Sequence, residues 1–100
     1  MAKSSRTTRP ASLERLSKRL QTAGDPNRLR ILCHLFGARK ACVSDIAASL
    51  DVSVATASHH LQALAKGGIL ESARDGKNIC YTLSKTGFAA DLKRFICKYR

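Results

Sequence analysis

The chain contains no tryptophan and only five aromatic residues, two Tyr and three Phe, among its 100. Proteins that hold single-stranded nucleic acid without reading its sequence stack bases on aromatic platforms, so the shortage argues against that class. Acidic residues are also scarce: 7 Asp and Glu stand against 18 Lys and Arg, a formal net charge of +11. That excess is larger than solubility requires and points to a polyanion, most simply nucleic acid. No apolar run approaches the roughly 18 residues of a membrane span. The basic N-terminus has no apolar segment of the kind a secretory signal carries. The expectation is a cytoplasmic protein with no membrane partner. No Cys-x-x-Cys pair, His–Cys–acid grouping at useful spacing or Gly-rich phosphate loop is present, which argues against an enzyme. Four cysteines are few for a secreted disulfide scaffold. In a reducing cytosol they are expected as thiols unless they bind a metal or sense oxidants.

What is present suits one small domain, with an ordinary apolar content of 44%. Residues 1–12 are polar, carry Lys3, Arg6 and Arg9 and include Pro10; they read as a basic flexible tail. Residues 13–100 read as a single DNA-binding and dimerisation domain. Leu13, Leu16 and Leu20 line one side of a first helix that Gly24 ends. Asp25-Pro26 restarts the chain as N-cap and first helical residue. The second helix, to about Phe36, is richly apolar and is closed by Gly37. A short third helix over residues 43–50 is expected to be capped by Ser44, with Asp45 against its positive end.

After the tight link Asp51-Val52, Ser53 caps a fourth helix. Val54, Ala57, Leu61 and Leu64 form its apolar stripe, and Ala55, Thr56, His59, Gln62 and Lys66 form a face of short polar or basic groups. Two helices joined by such a turn, the second with a polar outer face, make a helix-turn-helix suited to the major groove. Gly67-Gly68 stops this helix. The period then changes, and residues 69–74 and 78–83 read as strands joined through Asp75-Gly76. Arg74 and Lys77 flank the tip, as phosphate contacts on a wing would. A final helix over residues 85–99 carries Phe88, Leu92, Phe95, Ile96 and Tyr99 on one stripe.

The predicted fold is mainly α with a small β-hairpin, a winged helix-turn-helix in the order α-α-α-α-β-β-α. Its first and last helices carry more apolar surface than the core needs. A two-fold homodimer through Leu13, Leu16, Leu20, Phe88, Leu92, Phe95, Ile96 and Tyr99 would bury it.

The run Gly24-Asp25-Pro26-Asn27-Arg28-Leu29-Arg30-Ile31-Leu32 resembles the second-helix signature of the arsenic-repressor (ArsR/SmtB) family of bacterial winged-helix regulators. Residues 42–47 (CVSDIA), 57–61 (ASHHL) and 76–83 with Tyr81 continue the likeness in order, over roughly residues 13–83. The resemblance implies a homodimeric repressor that binds an inverted-repeat double-stranded DNA operator and releases it when an inducer binds. It places DNA contacts at Ser53, Ala55, Thr56, Ser58, His59 and Gln62 on the fourth helix, with Arg74 and Lys77 on the wing. His60 lies nearer the buried side and reads as a structural histidine.

The inducer site departs from the family pattern. Soft-metal sensors of this family carry C-V-C-D where this chain has Cys42-Val43-Ser44-Asp45, so the second thiolate is missing. The last helix holds Asp91 and no histidine, which argues against the family's second, zinc-binding site. Cys42, Cys97 and Cys80 remain as candidate thiol sensors, and Cys33 reads as an inert core thiol. Two functional readings stay open: As(III) or another soft metal at thiolates, or cysteine oxidation to a disulfide or persulfide. The metal identity is unknown from sequence. The alternatives to a thiol-controlled repressor are a winged-helix protein without cysteine sensing and a nonspecific nucleic-acid-binding protein.

Overall fold

The structure, a computed structural model, describes residues 10–100. Its elements run α1 (Pro10–Ala23), α2 (Pro26–Ala38), β1 (Lys40–Cys42), α3 (Val43–Leu50), α4 (Val54–Lys66), β2 (Leu70–Asp75), β3 (Asn78–Leu83) and α5 (Gly87–Tyr99). This is the expected winged-helix order with one added strand. The expected tail is shortened at its end: residues 10–12 are already helical, because a proline costs nothing in a first turn whose N–H groups are free anyway. The rest of that tail lies outside the described residues.

Helix α2 forms the centre. The Asp25 carboxylate caps it, accepting the N–H of Asn27 at 2.9 Å and of Arg28 at 3.1 Å. Ile31, Leu32 and Leu35 are buried against Ile46 of α3 and Leu61 and Leu64 of α4. Each buried Leu or Ile removes enough apolar surface from water to contribute about 1.5–3 kcal/mol. Gly37 does not end α2. The helix runs through it to Ala38, and Arg39 makes the turn at φ 70°. The stopping point is set two residues later, at Arg39, by β1, whose pairing requires the chain to reverse there.

Strand β1 is the element that sequence reading missed. It pairs antiparallel with β3 (Lys40 opposite Thr82, Ala41 opposite Tyr81, Cys42 opposite Cys80), giving a three-stranded sheet in the order β1-β3-β2. β3 is therefore the central strand, with Cys80 and Tyr81 buried. The hairpin loop is Gly76-Lys77 between the paired Asp75 and Asn78. Gly76 has φ 66° while Lys77 does not take a positive φ, the pattern of a II′ turn with glycine first.

α1 and α5 flank this core unequally. α1 gives it Ala23, and α5 gives it Ala89 and Ile96. Ile96, expected on the subunit-facing stripe, belongs to the chain's own core at 8% exposure. Phe88 and Leu92 pack partly against that core. Leu13, Leu16, Leu20, Phe95 and Tyr99 remain exposed, and Leu20 and Phe95 line one apolar groove between the two helices. No described helix is long and apolar enough to cross a membrane.

Candidate nucleic-acid interface

The turn between α3 and α4 fixes the angle at which α4 leaves the body. Asp51 takes the left-handed conformation at φ 58°, which short polar side chains tolerate better than most. Its N–H and that of Val52 close onto carbonyls of α3, with Val52 reaching Ala47 O at 3.0 Å. Helix α3 is capped from Cys42 and not from Ser44. The Cys42 N–H donates to Asp45 Oδ2 at 3.2 Å, because the end of β1 delivers Cys42 directly into the first turn. Ser53 caps α4 as expected, its Oγ accepting the Thr56 N–H at 3.0 Å.

α4 buries Ala57, Leu61 and Leu64 completely. Val54, expected on that stripe, is 56% exposed, since it sits in the first turn before the helix meets α2. The opposite face presents Ala55, Thr56, His59 and Gln62 to solvent, with Ser58 half-buried at its edge. Two side-chain bonds order this face. Ser53 Oγ donates to Thr56 Oγ1 at 3.0 Å, and Gln62 Nε2 donates to Ser58 Oγ at 3.0 Å. Hydroxyls, an amide and an imidazole are groups that match donors and acceptors on base edges, and exposed Ala55 offers a methyl to a thymine methyl.

His60 faces the other way. It is half-buried and accepts Arg28 Nε at its Nδ1 at 3.0 Å, which puts its ring proton on Nε2. Arg28 also donates to the Thr22 carbonyl at 3.4 Å. One guanidinium thus ties the end of α1 and the start of α2 to the middle of α4. Sequence reading placed His60 correctly on the inner side but had no means to find its partner 32 positions away.

Charge is distributed in keeping with a polyanion partner. Asp25 and Asp45 are used as helix caps, Asp75 pairs with Lys40 at 3.4 Å, Asp91 pairs with Arg94, and Glu71 accepts a bond from Ser84. Few carboxylates are left to neutralise the basic surface. Arg74 and Lys77 are exposed at the hairpin tip, on the strand end beyond Cys80. A second basic group, Arg15, Lys18, Arg19 and Lys66, lines a cleft between α1 and the end of α4.

Two of the four cysteines are bonded to each other and two are free. Cys42 and Cys80, opposite one another on β1 and β3, are joined as a disulfide. Cys97 is exposed on α5 and unbonded, away from that pair, so the three candidate sensor thiols do not converge within the chain. Cys33 is free and half-buried, packed against the core where an inert core thiol was expected. Arg100 is raised above its usual pKa, first by hydrogen bonding to Cys33 and then by the charges of Cys33 and Cys97. Among the described residues no three of Cys, His, Asp and Glu gather where they could hold a metal ion. Cys42 and Cys80 are committed to each other, Ser44 supplies no thiolate, and Asp91 is paired with Arg94. This donor set does not fit a soft metal within one chain.

Comparison with known proteins agrees with this geometry. Residues 25–72, from the cap of α2 through the start of the wing, match the family described as bacterial regulatory protein, arsR family. A cadmium resistance transcriptional regulatory protein from Listeria innocua is 49% identical over 57 residues, covering 57% of this chain and 48% of that protein. The chain thus spans about half the length of such curated relatives. The crystal structure of an antimony-specific transcriptional repressor superposes with a TM-score of 0.72 at 30% identity, covering 88% of this chain and 79% of the other. The solution structure of a homodimeric winged helix-turn-helix DNA-binding domain from Mycobacterium bovis, a possible ArsR-family regulator, gives 0.75 at 28% identity, covering 90% and 79%.

Proposed function

We propose, starting from the fact that this chain belongs to the arsR family of bacterial regulatory proteins, that it is a cytoplasmic, sequence-specific repressor of transcription. It binds an inverted-repeat operator as a homodimer and releases it on a thiol-directed signal. The observation that carries the reading is the face of α4. Thr56, His59 and Gln62 stand exposed and partly pre-ordered on a helix whose other side is fully buried and which leads directly into a basic hairpin. Ser53, Ala55, Thr56, Ser58, His59 and Gln62 address the major groove, and Arg74 and Lys77 hold phosphates beside it.

Dimerisation is supported by the unburied apolar side chains of α1 and α5. Leu13, Leu16, Leu20, Phe95 and Tyr99 are each at least 41% exposed, and a two-fold partner would cover them. The Mycobacterium bovis domain of the same fold is a homodimer. Such a dimer sets the separation of its two α4 helices, and a signal acts by favouring dimer conformations with the wrong separation.

For the signal, cysteine chemistry is favoured over metal binding, even though relatives are described as cadmium-resistance and antimony-specific regulators. Cys42 and Cys80 stand opposite one another, placed to bond to each other, and among the described residues no three of Cys, His, Asp and Glu gather where they could hold a metal ion. A metalloid site would need thiols from both subunits.

The test is competition between an operator duplex and a scrambled duplex of the same composition across a salt series. A specific repressor retains a preference of about 10³-fold or more for the operator at physiological salt. Equal, steeply salt-dependent binding to both duplexes contradicts the proposal.

A further inference from the structure

We infer that Cys42 and Cys80 form a reversible peroxide-responsive switch that couples the first helix of the helix-turn-helix to the wing. The inference rests on the operator-binding reading above. Four observations lead to it.

The two thiols are unequal in access. Cys42 is half-buried at the end of β1, whereas Cys80 is 1% exposed in the central strand. An oxidant therefore meets Cys42 first, and Cys80 is placed to resolve the product. Cys42 is also the N-cap residue of α3, where the positive end of a helix stabilises an anion, and the reactive form of cysteine is the thiolate. The pair is directly opposed in an antiparallel ladder, so the bond can form or break while Lys40–Thr82 and Ala41–Tyr81 keep the strands in register. Finally, the fold has a continuous apolar core through α2, α3 and α4, and does not depend on a staple as core-poor disulfide scaffolds do.

The chemistry balances with a hydroperoxide as oxidant. The Cys42 thiolate attacks one peroxide oxygen, so an S–O bond forms and the O–O bond breaks. With hydrogen peroxide the leaving hydroxide takes a proton and departs as water, leaving Cys42 as the sulfenic acid. The Cys80 sulfur then attacks the Cys42 sulfur. The S–S bond forms, the S–O bond breaks, and the second hydroxide leaves with the Cys80 proton as water. Two electrons pass from the two sulfurs to the peroxide. A dithiol reductant reverses the bond by exchange.

Position gives the bond its effect. Cys42 begins α3, which packs directly against α4, and Cys80 lies on the strand leading from the Lys77 tip. The bond fixes the wing to the helix-turn-helix. Cutting it leaves Lys40–Thr82 and Ala41–Tyr81 paired but frees the tip-ward end of the ladder, so that the part of the hairpin beyond Cys80 bends and Arg74 and Lys77 follow the phosphates while α4 sits in the groove. The reduced protein is the tight binder.

The experiment uses the full chain and a duplex enriched from a random library by the reduced protein. Hydrogen peroxide should produce a linked Cys42–Cys80 peptide by mass spectrometry and weaken binding about tenfold, within the range of ordinary coupling between sites. Dithiothreitol should restore it. Cys42→Ser should bind as the reduced protein does and ignore peroxide, while Cys33→Ser and Cys97→Ser should respond as the parent does. Cys42→Ser is the decisive variant because its side chain is only half-buried, and thermal melting verifies its fold. A bond between other cysteines, a response surviving in Cys42→Ser, or unchanged affinity after the Cys42–Cys80 bond forms each overturns the switch. A reduced protein that enriches no sequence overturns the repressor reading itself, whereas enrichment with a peroxide-insensitive affinity overturns only the switch.

Discussion

Reduction of the Cys42–Cys80 bond opens a loop whose ends are 38 residues apart in sequence. Closing a loop of that length removes unfolded-state entropy worth about 4 kcal/mol at 25 °C. The strands should stay paired in the folded state, because the other ladder partners of β1 and β3 do not involve sulfur. The loss therefore falls on the unfolded ensemble. For a domain of this size each kcal/mol moves the melting temperature by about 4–8 °C, so reduction should lower it by on the order of 15–30 °C. Circular dichroism melts of oxidised and reduced protein measure this at one fixed concentration, since a dimer's midpoint depends on concentration. Cys42→Ser must melt with the reduced protein in both conditions. A drop under about 3 °C, with the bond verified by mass spectrometry, would show that the loop is already constrained in the unfolded chain and would refute the reasoning.

Replacing Arg74 and Lys77 together with alanine should weaken operator and nonspecific binding alike. It should also reduce the slope of log affinity against log salt by about 3.6, two phosphate contacts being lost from each subunit of the dimer, measured by fluorescence anisotropy. Leu20→Glu and Phe95→Glu, in the groove shared by α1 and α5, should give a monomer by sedimentation with little loss of secondary structure; a dimer unaffected by both changes would move the interface elsewhere. Arg28→Ala leaves the His60 Nδ1 acceptor without its 3.0 Å donor at a half-buried site. It should cost about 1–3 kcal/mol of stability in denaturant melts. His60→Leu combined with it should recover part of that loss.

The helices were legible because each carries its own punctuation. Asp25-Pro26 and Ser53 cap α2 and α4 as their sequence context predicts, and the 3.6-residue period of Ala57, Leu61 and Leu64 marks the buried side of α4. The hairpin was legible from Gly76. Strand β1 was not: three residues are too few to show a period, and its identity depends on Thr82, Tyr81 and Cys80 arriving from the far side of the recognition helix. Every other miss at this end of the molecule follows from that strand. It moves the end of α2 from Gly37 to Arg39, shifts the cap of α3 from Ser44 to Cys42, and sets Cys42 against Cys80. Local spacing showed no cysteine pair because the pair is made by strand register. Ile96 was placed on the outer stripe because a helical period gives a face its hydrophobicity but not its neighbour, and α2 lies on that side. The residues named as DNA contacts on α4 are exposed or half-buried.

The most direct measurement is selection of a random duplex library by the reduced protein, followed by the same selection with Thr56→Ala and His59→Ala. If α4 of each subunit reads a half-site, the parent will enrich an inverted repeat whose half-site centres lie about one helical turn or a multiple of it apart. The variants will lose preference at particular base pairs, at about 1–3 kcal/mol for each contact removed, while keeping nonspecific affinity. No enriched sequence, or an enriched repeat that neither substitution alters, would contradict recognition through this face of α4.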